Sequence, residues 1–156
     1  MLTKAKVLEI IENAFADVLF PGPQHKSLMQ AEAWDNYEVC DQSNDYKGKW
    51  QNLPLEQIEN CQWALPHLDE FGFQFYLPAI MSTILHCDEK DNSLDIVKDS
   101  LLFNLSKQES PSLEEYQKKR LSLFSIKQKN AVLQFLKYIA PEESHLVEYW
   151  ERIVKN

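Results

Sequence analysis

The chain has 156 residues, 44% of them hydrophobic, and a formal net charge of −8. That length suits one domain and that composition fills a core, which excludes a chain disordered throughout. The acidic balance repels phosphate backbones and argues against general nucleic-acid binding.

The pattern predicts an all-α protein: one compact domain over 1–156 with six to eight helices around one core. Only three glycines are present, and apolar residues recur at helical spacing. Residues 4–19 place Val7, Ile10, Ile11, Ala14, Phe15 and Val18 on one stripe, with Thr3 as cap and Pro21-Gly22-Pro23 as terminator. Residues 26–41 read as a second helix. Met29, Ala33, Tyr37 and Cys40 share its inner face, and Glu32, Asp35, Glu38 and Asp41 recur along its outer flank. A loop follows over 41–45. Pro54 suits the first turn of a third helix with Leu55, Ile58 and Cys61 inward. Pro66 should break the chain, and Gly72 suits a helix C-terminus.

Residues 73–87 carry no charge and are apolar almost all round, which predicts a central buried helix. Pro78 either kinks it or marks its first turn. Leu94, Val97, Leu101 and Leu105 form the stripe of the next helix. Ser110-Pro111 offers a helix start, and Ser125 to Gln128 has the spacing of a capping box. Lys118-Lys119-Arg120 reads as a solvated helix end. A last helix after Pro141 carries Leu146, Tyr149, Trp150 and Ile153.

The apolar run from Phe73 to Leu85 is shorter than the ~20 residues that span a bilayer, so no membrane segment is expected. The N-terminal segment lacks the uninterrupted apolar centre of a signal peptide. Three scattered cysteines, Cys40, Cys61 and Cys87, fit reduced thiols better than a disulfide framework. Together these predict a cytoplasmic protein.

No motif names a reaction. Glu142-x-x-His145 has the spacing of one arm of a di-metal helix pair, but no second pair accompanies it. His86 and Cys87 are neighbours on a helix and point about 100° apart, so they do not make a catalytic pair. No cofactor and no metal is expected. The charge is concentrated: residues 28–72 hold nine acidic side chains against two basic ones. Trp34, Tyr37, Tyr46, Trp50 and Trp63 lie among them. Aromatic anchors with a charged rim suit a protein interface, and an acidic face steers basic partners. The leading expectation is a non-enzymatic interaction protein that binds a basic protein partner, as an inhibitor or immunity-like protein would. Its contact residues would be Glu32, Trp34, Asp35, Glu38, Asp41, Asp45 and Trp50. The alternative is a small-molecule or catalytic domain with a pocket near the Pro78 helix.

Three segments carry a resemblance. Asp45-Tyr46-Lys-Gly48-Lys-Trp50 resembles an aromatic-x-Gly-x-x-Trp loop. Phe73-Gln-Phe-Tyr-Leu-Pro-Ala-Ile-Met81 resembles a central Phe-Arg-Tyr-Tyr-Leu-Pro-Ala motif, with Gln74 in place of the arginine. Leu123 to Tyr138 resembles a Leu-Ser-x-x-Gln…Phe-Leu segment. Over residues 8–139 the chain is similar to a family of small uncharacterised bacterial proteins, a domain of unknown function. The resemblance implies a bacterial, cytosolic origin and supplies no activity.

Overall fold

The computed structural model describes residues 1–88 and 90–156. The described residues form eight α-helices and no strand, so the expected all-α class and helix number hold.

Helix α1 spans Lys4–Phe15, and the Thr3 side chain accepts from the Lys6 amide at 3.2 Å. It stops well before Pro21, earlier than the apolar stripe suggests. Side chains from elsewhere take its last carbonyls: the Trp50 indole donates to Phe15 O at 2.8 Å and Gln128 Nε2 to Ala14 O at 3.2 Å. Helix ends leave four carbonyls without internal partners, and these two donors satisfy a pair of them.

Helix α2 is shorter than expected, covering Leu28–Asp35 rather than 26–41. Ser27 and Gln30 form a capping box at its start. At its end Tyr37 adopts φ 57°, and the Glu38 amide reaches back to Ala33 O at 2.8 Å while Tyr37 N reaches Trp34 O at 3.1 Å. This is a Schellman closure with tyrosine where glycine is usual. The inner face expected for Met29, Ala33, Tyr37 and Cys40 is therefore wrong. Tyr37 is 99% exposed, and the buried residues of α2 are Leu28 and Ala31.

A 3₁₀ turn at Trp50–Asn52 leads to α3, Leu55–Asn60, with Pro54 as its N-cap rather than in its first turn. Ile58 and Cys61 point inward as expected, but Leu55 is exposed. A second 3₁₀ turn, Leu65–His67, contains Pro66. Helix α4, Glu70–His86, follows with Asp69 as its cap. Gly72 lies in its first turn, not at a helix C-terminus, because a Cβ there would meet the Lys26 carbonyl at 3.4 Å and Leu68 at 3.2 Å. Pro78 lies mid-helix, leaving one rung of the backbone ladder unmade.

Helices α5 (Asp95–Leu105), α6 (Pro111–Leu121), α7 (Ile126–Ile139) and α8 (Ser144–Lys155) complete the fold. Ser110 caps α6 and the Ser125–Gln128 capping box starts α7, as their spacing predicts. Helix α7 packs between α1 and α8, and α4 packs against α1 and α6. Eleven of the 17 residues of α4 are buried, including Phe73, Phe75, Tyr76, Leu77 and Met81, which makes it the structural centre.

The basic triplet corrects one expectation. Lys118 and Lys119 are exposed, but Arg120 is 3% exposed. Its guanidinium donates to Leu65 O at 2.8 Å, to Asn104 Oδ1 at 3.1 Å and to Gln117 Oε1 at 3.0 Å. It also lies 4.2 Å from the Phe73 ring centroid. Burial pulls its pKa down to about 10. Instead of a carboxylate, the cation faces the carbonyl end of α5, where the helix dipole is negative.

Two stability measurements follow. Leu77→Ala removes a fully buried side chain from α4 and should cost about 2–5 kcal/mol in urea unfolding. Arg120→Lys keeps the charge but loses the fork that serves four acceptor atoms on three residues, and should cost about 1–3 kcal/mol. Lys119→Ala, next to it and exposed, should stay within about 0.5 kcal/mol of wild type. Equal midpoints for the Arg120 and Lys119 variants would show that the buried cation holds nothing together.

Candidate functional site

The early Schellman turn at Tyr37 shapes the surface around α2. The chain leaves the helix and runs without regular structure from Glu38 to Lys49. Between this segment, the outer side of α2 and α3 lies a cleft of about 680 Å³. Its carboxylates are Glu32, Glu38 and Glu56, and no lysine, arginine or histidine lines it. Met29, Ala33 and Val39 supply apolar wall, and Cys40 and Cys61 supply two thiols.

The expected contact residues divide into three groups. Glu32 and Glu38 both line the cleft, Glu32 from α2 and Glu38 from the segment after it, so they do not share one helix flank. Glu32 is half-buried and its Oε2 accepts from the Trp63 amide at 2.8 Å. Burial raises its pKa, an effect that the Trp63 hydrogen bond opposes. Asp35, Asp41 and Asp45 serve local structure. Asp35 pairs with His67 Nε2 at 2.9 Å, joining α2 to the second 3₁₀ turn. Asp41 accepts from the Ser43 amide and hydroxyl, which lowers its pKa. Asp45 accepts from Ser27 Oγ at 2.7 Å and Gln30 Nε2 at 3.3 Å, pinning the loop to the start of α2.

The two tryptophans also part company. Trp34 is 60% exposed, with Lys26 Nζ 4.0 Å above its ring. Trp50 is 2% exposed and spends its indole N–H on α1, so it belongs to the core and not to a contact surface. Its spacing from Gly48 gave no hint of this, because an aromatic in an acidic stretch reads equally well as anchor or core.

Glu56, Asn36, Asn60 and the two thiols were missed as cleft residues. Their helices and loops meet only through packing, and no sequence spacing links them. Burial pushes the Cys61 thiol up to about 12, and the nearby charges of Glu32 and Cys40 act in the same direction. Cys40 is also raised, by burial and then by Asp45 and Asp41. Both groups therefore stay protonated at neutral pH.

A second cleft, of about 450 Å³, lies between α1, the first 3₁₀ turn and α4. Ala79, Ser82, Thr83 and His86 of the Pro78 helix line it, opposite Glu9 and Glu12. Glu142 and His145 are both exposed. Among the described residues, no group of three or more His, Cys, Asp or Glu is placed to hold a metal ion, and no helix is long and apolar enough to cross a membrane.

The Glu32 environment sets a pH dependence. A carboxyl with a raised folded pKa weakens the fold once it ionises, and the loss is complete above that folded value. Glu32→Gln removes the charge and keeps an oxygen for the Trp63 amide. The variant should melt higher than wild type at neutral pH, and the gap should close as pH falls below the ordinary carboxyl value of 4.5. A gap that persists unchanged in acid would show that ionisation of Glu32 is not its source.

A family model described as a family of unknown function (DUF6714) matches residues 3–154. Neither the comparison with curated proteins nor that with solved structures gives a match. The match runs from the cap of α1 into the last turn of α8. The chain belongs to this family of unknown function.

Proposed function

We propose that the protein is a non-enzymatic interaction protein that binds a basic segment of a protein partner in the cleft between α2, the 38–44 loop and α3. One observation carries this reading: three carboxylates and no basic side chain line a cleft whose remaining walls are partly apolar. In such a place a lysine or arginine gains Coulomb attraction at reduced dielectric, while its alkyl stem lies on Met29, Ala33 and Val39. The raised pKa of Glu32 fits the same picture, since a cation would relieve the strain of its ionisation. We extend this reading to an inhibitor or immunity-like role, masking a basic toxin, on the strength of the net negative charge. The three cysteines are free thiols, which suits a bacterial cytosol.

The alternative is a small-molecule-binding or catalytic domain using the α1–α4 cleft beside the Pro78 helix. His86, Ser82 and Thr83 face Glu9 and Glu12 there, so that cleft offers both hydrogen-bond donors and acceptors.

Titration calorimetry with a lysine- and arginine-rich peptide separates the two. Wild type should bind at low ionic strength and weaken steeply as salt is added. Changing Glu32, Glu38 and Glu56 together to glutamine should reduce affinity at least about tenfold. Glu148→Gln, exposed on α8 and outside the cleft, should change it little. Equal loss from Glu148→Gln would mean a diffuse charge effect, and undiminished binding by the triple variant would remove the cleft from the mechanism.

A further inference from the structure

The cleft carries a feature that charge does not explain. Two of the chain's three cysteines line it together, one on each wall. Cys40 lies on the irregular segment after α2 and is half-buried. Its thiol has one hydrogen bond, a local one to the carbonyl of Asp41. Cys61 is the C-cap of α3 and is buried. They are separated by 20 intervening residues in sequence, so only the fold brings them to one space. Cys87 lies elsewhere, in a cleft with Asp88, Asp91 and Asp95.

We propose that Cys40 and Cys61 form a reversible disulfide under hydroperoxide, which ties the 38–44 loop to the end of α3 and closes the acidic cleft. The closing of a binding cleft rests on the function proposed above; the formation of the bond does not.

The wall segments differ in the way such a device requires. Cys61 is fixed by α3 and the core around Ile58 and Ala64. Cys40 sits on a segment pinned at Glu38 by the Schellman bond and at Asp45 by Ser27 and Gln30. Between those pins the Cys40 backbone lies outside any helix, and the next tie along the chain is Gln42 Nε2 to Pro23 O at 2.7 Å. Carboxylates repel a thiolate beside them, so the reduced pair rests as neutral thiols. Because both thiols are held protonated, the reduced form persists until oxidant is sustained.

The chemistry balances in two steps. The Cys40 thiolate attacks one oxygen of hydrogen peroxide, the O–O bond breaks, and a sulfenic acid and water result. The Cys61 sulfur then attacks the sulfenic sulfur. An S–S bond forms, the S–O bond breaks, and the hydroxyl leaves as water with the Cys61 proton. Two thiols lose two electrons, and one peroxide becomes two waters. A dithiol reductant reverses the change by thiol–disulfide exchange.

The full chain, with Cys87→Ser as a second form, is treated with hydrogen peroxide, and free thiols and cross-linked peptides are read by mass spectrometry under non-reducing conditions. Both remaining thiols should disappear together in a monomeric product, in which the peptides carrying Cys40 and Cys61 are joined with the loss of two hydrogens. Dithiothreitol should restore both. Cys40→Ser should leave Cys61 unoxidised under the same treatment. Cys40 gaining oxygen while Cys61 stays a free thiol, or cross-links forming between chains, would overturn the proposal. The oxidised protein should bind the lysine- and arginine-rich peptide at least about tenfold more weakly. If the bond forms but the reduced protein never bound that peptide, the acidic-cleft reading fails and the thiol pairing stands. If the bond forms and peptide affinity is unchanged, the closing of the cleft is wrong.

Discussion

The Arg120 guanidinium ties the carbonyl end of α5 to the second 3₁₀ turn, at a helix end that has no glycine to close it. Helix α5 ends with its carbonyls facing inward, and Gln117 Nε2 and Arg120 serve Asn104 O while the Trp150 indole serves Leu105 O. The same guanidinium reaches Leu65 O in the second 3₁₀ turn. Tyr116, one turn earlier on α6, places its hydroxyl 2.7 Å from Pro66 O. That turn carries His67, which pairs with Asp35 on α2. The preceding Trp63 amide is held by Glu32. The position of one cleft wall thus leads back, bond by bond, to a buried cation on α6.

This dependence reflects a wider constraint. With three glycines in the chain, few helices can end in a left-handed glycine. Among the described residues the ends are met in other ways. Trp50 and Gln128 close α1, Tyr37 in the left-handed region closes α2, and Arg120, Gln117 and Trp150 close α5. Each long-range cap is also a tertiary contact. Local helix endings and global packing therefore form together, and a substitution at a cap is felt at two elements.

The acidic stretch takes its shape from the same economy of turns. Had α2 continued to Asp41, its four acids would have formed one exposed flank. Because it stops at Asp35, the chain leaves the helix, and Glu38 lines a cleft together with Glu32 and Glu56. Charges spread along a flank are screened by water, whereas charges lining a concavity with apolar walls act through a lower dielectric. Asp35, Asp41 and Asp45, bound to His67, Ser43 and Ser27, act as struts of that cleft's surroundings.

Much of the fold was legible in the sequence. The uncharged run from Phe73, the stripe ending at Leu105, the Ser110 cap and the Ser125–Gln128 box all appear where periodicity and capping chemistry place them. These are local signals, since a helix writes its buried face at fixed spacing and its start in a few adjacent residues. The endings of α1 and α2 were not legible, nor the burial of Trp50 and Arg120, nor the meeting of Cys40 with Cys61 in a cleft. Arg120 did share a helical stripe with Leu113, Gln117 and Leu121, but an arginine on an apolar stripe reads as a boundary until its acceptors are known. Those acceptors are carbonyls on α5 and in the turn after α3. The sequence by itself determined which segments become helices and which of their faces seek the core. Tertiary structure decided where α1 stops and which polar groups are buried, because the carbonyls and donors that settle those questions belong mostly to residues far away in the chain, while α2 stops at a local turn that no glycine announces.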